Sequence, residues 1–160
     1  MDGTTEDETD RRWMRLALEQ AHEAHARGDW PTGAVLVKRG TLLASGQNRQ
    51  NTRGDPTAHA EPEALRAAFA AHGPRAAEGA TLYCTMEPCP MCAGALKVAG
   101  VHRLVLALRH ARIGRTDLGG YCIEAFCAMT GFAPELRDGV LEDDYLALRL
   151  RWGGDTTHRN

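Results

Sequence analysis

A histidine at position 59, a glutamate two residues later, and cysteines at 89 and 92 behind Pro88 are the residues whose types and spacing suit chemistry. Imidazole nitrogen and thiolate sulfur are the donors that zinc, a borderline-soft ion, takes in a tetrahedral shell. His59, Cys89 and Cys92 supply three ligands, and no fourth stands adjacent, whereas structural zinc sites normally provide four. The expectation is one zinc per chain with an open position for water, whose pKa the ion lowers to about 7. Glu61 is not a ligand in this reading. It is placed beside the same site to carry protons between the water and a reacting molecule. A Cys-x-x-Cys alone is shared with redox motifs and zinc knuckles; its union with Pro88 and an upstream His-x-Glu points to a hydrolytic centre.

The elements that must hold these residues follow from hydrophobic periodicity. Trp13, Leu16, Ala17, Ala21 and Ala24 recur at helical spacing from Arg11 to Arg27, with Asp10 as a cap and Gly28 as the stop. Ala34-Val35-Leu36-Val37 and Thr41-Leu42-Leu43-Ala44-Ser45 flank Lys38-Arg39-Gly40 and predict a β-hairpin. A polar stretch, 46–56, leads to an alanine-rich helix over 59–71. A strand over 80–85 then reaches the Pro88-Cys89 turn, followed by a helix over 89–99 and a strand over 103–107. So short a strand-helix-strand run predicts a right-handed crossover with the two strands parallel and both metal-binding segments at helix N-termini. Residues 109–133 are glycine-rich and predict a loop with a short helix over 121–129. Leu141, Tyr145, Leu148 and Trp152 mark one face of a closing helix. The order α-β-β-α-β-α-β-α gives a three-layer α/β/α sandwich with a central mixed sheet.

The chain has 160 residues and 43% hydrophobic content, which suits one domain over 11–160. Residues 1–10 are acidic and almost free of apolar side chains, so a solvated, disordered tail is expected there. The net charge of −2 gives no global basic field for nucleic acid. The odd count of five cysteines argues against a disulfide framework, and with no signal-like or membrane-length segment the expected compartment is cytoplasmic. Cys122 and Cys127 are expected to pack on the short helix.

Taken in order, Trp13-Met14-Arg15, Pro31-x-Gly33-Ala34-Val35-Leu36-Val37, Gly46-Gln47-Asn48-Arg49, Asp55-Pro56-Thr57-Ala58-His59-Ala60-Glu61 and Thr85-x-Glu87-Pro88-Cys89-Pro90-Met91-Cys92-Ala93-Gly94-Ala95 resemble the zinc-dependent cytidine deaminase superfamily. The likeness covers about 13–108, and is greatest to the branch of guanine, cytosine and tRNA adenosine deaminases. The resemblance implies an aminohydrolase that replaces an exocyclic ring amine by oxygen and releases ammonia. It also implies that Asn48 bonds the substrate base, that the Ala60 N–H meets a ring acceptor, that the Pro88 and Cys89 backbone flanks the water, and that the protein is a homodimer. Pro62 departs from the family pattern after the glutamate, and residues 116–127 match no branch clearly.

The first expectation for substrate is a free nucleobase or base-like heterocycle of the cytosine, guanine or aminotriazine type. It rests on the mild acidity, on apolar Tyr145, Leu148 and Trp152, and on the acidic run Glu142-Asp143-Asp144, which repels phosphate. In the diverging segment, Asp117 and Glu124 are candidates to accept hydrogen bonds from a base, and Tyr121 and Phe126 to stack on it. The alternative is adenosine-to-inosine deamination of tRNA, with Arg103, Arg109, Arg112, Arg115, Arg149, Arg151 and Arg159 as a local basic surface. A non-catalytic zinc-stabilised binding module is the third reading, disfavoured because such a module has no use for Glu61.

Overall fold

The computed structural model describes residues 3–115 and 117–153; Thr116 and Arg159 lie outside them. In chain order the elements are α1 (Glu6–Arg27), β1 (Gly33–Lys38), β2 (Thr41–Gln47), α2 (Gln50–Arg53), α3 (Ala60–His72), β3 (Thr81–Met86), α4 (Pro90–Ala99) and β4 (Arg103–Leu108). A 3-10 turn at His110–Ile113, α5 (Ile123–Thr130), β5 (Glu135–Arg137) and α6 (Glu142–Trp152) complete it. The sheet runs β2-β1-β3-β4-β5, with β1 antiparallel to both neighbours and β3, β4 and β5 mutually parallel. Helices cover both faces, so this is the expected three-layer α/β/α arrangement. β5 was not expected; three residues are too few to display a period of two.

Alternation along the strands divides the core. Ala34, Leu36, Leu82, Cys84, Leu104 and Leu106 pack against Ala64, Leu65, Ala93 and Leu96 of α3 and α4. Val35, Val37, Tyr83 and Val105 pack against Trp13, Met14 and Ala17 of α1 and Tyr145 and Leu148 of α6. With both faces covered, the central strands are apolar throughout, as Leu104–Leu108 is. Two glycines set the helix-to-sheet spacing. A Cβ on Gly33 would lie 2.2 Å from the Ala17 carbonyl oxygen, and one on Gly46 would lie 2.1 Å from that of Ala60. The second approach presses the first turn of α3 onto β2 and so fixes where Glu61 stands. Among the described residues, no helix is long and apolar enough to cross a membrane.

The acidic N-terminus departs from expectation. Residues 6–10 are the first turns of α1, opened by a capping box in which the Thr5 hydroxyl accepts from Glu8 N at 3.1 Å and Thr5 N donates to Glu8 Oε2 at 2.8 Å. Asp10 is not the cap. Its carboxylate, 1% exposed, accepts from Tyr83 Oη at 2.9 Å, Arg103 Nη1 at 2.8 Å and Arg137 Nη1 at 2.6 Å. Glu6 and Asp7 pair with the same two arginines. These residues are ordered by ion pairs with β4 and β5, which a rule based on apolar burial does not register.

Burial raises the Asp10 pKa, but bonds from Arg103, Tyr83 and Arg137 overcome it and hold the group below its ordinary value. A depressed carboxylate stabilises the fold fully above its unfolded pKa, and that contribution falls away as pH drops through the folded value. Asp10→Asn is therefore expected to lower unfolding stability in urea at pH 7 by about 3 kcal/mol. It should also flatten the loss of stability that the parent protein shows on acidification below about pH 4.

Candidate metal and proton-transfer site

Each metal-binding motif is presented by the start of a helix at the carboxyl end of the parallel strands. His59 is the N-cap of α3, in extended backbone, and Cys89 is the N-cap of α4, with Pro90 at its first position. Pro is tolerated there because the first helical N–H groups have no partner within the helix. The same argument disposes of Pro62, which falls in the first turn of α3. Both helix dipoles thus point their positive ends at one place, where they favour thiolates and a carboxylate.

His59 Nδ1 lies 3.6 Å from Cys89 Sγ and 3.4 Å from Cys92 Sγ, and the two sulfurs are 3.5 Å apart. Zinc bonds of about 2.0 Å to nitrogen and about 2.3 Å to sulfur, at tetrahedral angles, require ligand separations of about 3.5 and about 3.8 Å. The trio fits the ion without rearrangement. Among the described residues it is the one group of His, Cys, Asp or Glu whose ligand atoms all lie within 4.8 Å of one another. Cys89 is held down to about 4, chiefly by its hydrogen bond with Cys92, with help from His59 and the Cys92 N–H and against burial. Burial pushes Cys92 up, as does the proton it shares with Cys89.

Glu61, at the second position of α3, is fully buried, and neither carboxylate oxygen has a hydrogen-bond partner in the fold. Burial raises its pKa, with His59 opposing. A buried carboxylate left bare costs stability. It follows His59 by two residues, on the first turn of the helix that His59 caps.

A cavity of about 450 Å³ opens beside the trio, lined by Gln50, Pro56, His59, Cys89, Pro90, Met91, Arg115 and Leu118. Asn48, fully buried, adjoins it through Gln50, donating to Gln50 Oε1 at 2.6 Å and accepting from Gln50 N at 3.0 Å. Arg27 Nη2, bonded to the Asn48 carbonyl at 2.9 Å, holds that loop. Ala60 begins α3. The Pro88 carbonyl accepts from the Tyr121 hydroxyl, so Tyr121 braces the metal loop. Asp117 is bonded to Arg115 at 2.7 and 3.0 Å and backs the cavity wall through it.

Two expected substrate residues stand elsewhere. Glu124 accepts from Arg109 at 2.5 Å on the surface, and Phe126 sits edge-on to Phe132, 6.3 Å between rings, against the core. Both lie on α5, whose inward face is used for packing. Gln50 and Leu118 line the cavity without having been singled out by sequence, and Arg115 lines it although sequence offered it only as part of a basic surface. Only the Arg-x-Asp spacing at 115–117 hinted at a local pair.

Among the described residues, most of the arginines expected to form a basic surface are engaged within the fold. Arg103 is taken up by Glu6, Asp10 and Glu135, Arg109 by Glu87, Glu124 and Asp138, and Arg115 by Asp117. Arg149 is buried against the rings of Tyr145 and Trp152. Tyr145 and Leu148 of α6 are likewise core, and the half-buried Trp152 packs against Trp30 at 5.0 Å between rings.

Residues 7–108 match the family described as the cytidine and deoxycytidylate deaminase zinc-binding region. The tRNA-specific adenosine deaminase of Bacillus subtilis (strain 168) is 43% identical over 140 residues, covering 84% of this chain and 83% of that protein. A structure from a study of A-to-I editing by tRNA:A34 deaminases at the wobble position of transfer RNA superposes with a TM-score of 0.75 at 35% identity. It covers 86% of this chain and 98% of that one. The guanine deaminase from Nitrosomonas europaea superposes with a TM-score of 0.77 at 28% identity, over 89% of this chain and 83% of that one.

Purified protein is expected to carry about one zinc per chain, and Cys92→Ala well under half of that, by elemental analysis after gel filtration. Stoichiometric zinc in Cys92→Ala would overturn the ligand set.

Proposed function

Because the chain belongs to the cytidine and deoxycytidylate deaminase family of zinc-dependent hydrolases acting on C–N bonds, we propose that it deaminates adenosine to inosine in transfer RNA. The observation that carries this reading is the 43% identity, over 84% of the chain, to a tRNA-specific adenosine deaminase. It reverses the order of the two substrates expected from sequence. Of the features that had favoured a free base, Tyr145 and Leu148 are spent on the core, while the mild acidity and the run Glu142-Asp143-Asp144 remain.

His59, Cys89 and Cys92 would hold zinc, which would supply a polarised water that ionises near neutral pH. Glu61 would carry one proton from that water to the ring nitrogen next to the amino-bearing carbon as the oxygen bonds to that carbon. It would then carry the second proton, from the hydroxyl now on the carbon, to the amine, whose C–N bond breaks to leave a carbonyl and ammonia. One carboxylate would serve both transfers because it is fully enclosed beside the ligands and neither of its oxygens is held in a hydrogen bond. Its raised pKa brings it nearer to that of the groups it exchanges protons with. Asn48 is oriented by Gln50 toward the cavity mouth, where the resemblance places its contact with the base.

A second reading, deamination of guanine as a free base, is favoured by the scarcity of unpaired arginines around the site. The superposition on a guanine deaminase supports it as well.

The homodimer implied by the family is assigned to the face formed by α3 and α4. A groove of about 480 Å³ runs between them, lined by Leu65, Phe69, Ala95, Val98 and Ala99. Val98 is 90% exposed and Met91 41%, on a helix whose opposite side carries the metal ligand Cys92. Apolar side chains clustered on a surface mark an interface.

Incubation with an unmodified tRNA bearing adenosine at the wobble position is expected to yield inosine, read by nuclease digestion and chromatography. Guanine, cytosine and adenine should release no ammonia above background. Ammonia from guanine with no inosine would overturn the first reading in favour of the second. Glu61→Gln is expected to keep its zinc and lose about 10²–10⁴-fold in turnover. Val98→Arg is expected to elute as a monomer in light scattering, where the parent elutes as a dimer.

A further inference from the structure

We infer that Glu87 is a positioning residue that registers the wall of the substrate cavity to the metal ligands, and through that register controls substrate affinity. The inference rests on the deaminase reading of the site and not on which base is deaminated.

Glu87 ends the β3 connection two residues before Cys89, and its side chain is 2% exposed. Its carboxylate is shared among groups far along the chain. Oε1 accepts from Arg109 Nε at 2.9 Å and from the His110 N–H at 3.0 Å, and Oε2 accepts from the Ile123 N–H at 2.8 Å. The Glu87 N–H donates to the Leu108 carbonyl at 2.8 Å, and the neighbouring Pro88 carbonyl receives the Tyr121 hydroxyl. Residues 109–110 and 121–123 flank residues 111–120, which run into the stretch 116–127 that departs from the family pattern. Both ends therefore land on residues 87 and 88.

Among the described residues between those ends, the regular structure is the 3-10 turn at His110–Ile113. Arg115 is tied locally to His110 and Asp117, so the segment is carried as a unit by its anchored ends. It delivers Arg115 and Leu118 to the cavity, opposite His59 and Cys89. Their placement relative to the metal ligands must come from where the segment is anchored, and the anchor is the residue pair that leads directly into Cys89. At α5 the carboxylate does the work of a cap. Cys122, the N-cap, makes no side-chain capping bond, and Glu87 takes the Ile123 N–H from across the fold. Arg109 completes the tie by also binding Glu124 and Asp138, so α5 and the loop after β5 share the same point.

Glu87→Gln is nearly isosteric but puts an NH₂ where a donor already points, so at least one of these bonds is lost. In the zinc-loaded enzyme, KM is expected to rise about tenfold with kcat within about threefold, zinc staying near one per chain. Arg109→Met, which removes one donor and leaves the carboxylate in place, is expected to raise KM about threefold in the same sense. The parent and both variants are assayed on wobble-adenosine tRNA and on guanine, and the comparison is made on whichever the parent turns over. A parent inactive on tRNA but active on guanine overturns the proposed substrate and not the role of Glu87. Unchanged KM in Glu87→Gln with only a lower melting temperature would show a purely structural role and overturn the inference. Loss of zinc in that variant would do the same, by placing its action on the metal loop alone. If Glu87→Gln does not fold, Arg109→Met decides by the same KM reading.

Discussion

A carboxylate with no partner inside the protein is the constraint around which the rest is arranged. Glu61 is fully buried, and neither of its oxygens is hydrogen-bonded by the fold. Burying a carboxylate without hydrogen bonds disfavours folding, so its position must be imposed by the packing of the helix that carries it. The fold does this by backbone contact. Gly46 lets β2 meet the first turn of α3 at a distance no side chain would permit, and Gly33 does the same between β1 and α1. The carboxylate is thereby carried on a helix start whose position is set from behind, and its oxygens remain available for a water and a substrate.

The two zinc-binding motifs are joined by the same logic. A histidine and a cysteine at the N-caps of α3 and α4 bring two positive helix ends together, and the anionic donors relieve that convergence. The cavity wall is built differently, from a segment with little regular structure, fastened at both ends to the residues just before Cys89. The catalytic floor is thus made of helices and strands, and the side that meets a substrate is made of loop. In such a division the floor can stay constant while the wall changes substrate.

Charge is used internally more than externally. Arg103 and Arg137 hold the start of α1 through Asp10, Arg109 gathers Glu87, Glu124 and Asp138, and Arg27 holds Asp29 and the Asn48 loop. Arginines that count as basic surface in the sequence are therefore largely neutralised. An RNA substrate would have to be gripped by a few remaining cations and by the shape of the cavity mouth, which fits a reaction on one extruded base better than broad adhesion to a phosphate backbone.

The sequence by itself determined the architecture and the local motifs that it carries. His-x-Glu and Pro-Cys-x-x-Cys are local patterns, and at a helix start the backbone alone fixes how residues two or three apart are presented. Periods of 2 and 3.6 likewise marked the central strands and the main helices, because apolar burial repeats with the geometry of each element. Only the tertiary structure decided the rest. It ordered residues 6–10 through arginines 93 and 127 positions away from Asp10, turned Glu124 and Phe126 away from the cavity, brought Arg115 and Leu118 into it, and made Glu87 an anchor. Each of these depends on an ion pair or hydrogen bond between distant segments, and such bonds leave no periodic trace in a sequence, since one carboxylate and one arginine look alike wherever the chain happens to bring them together.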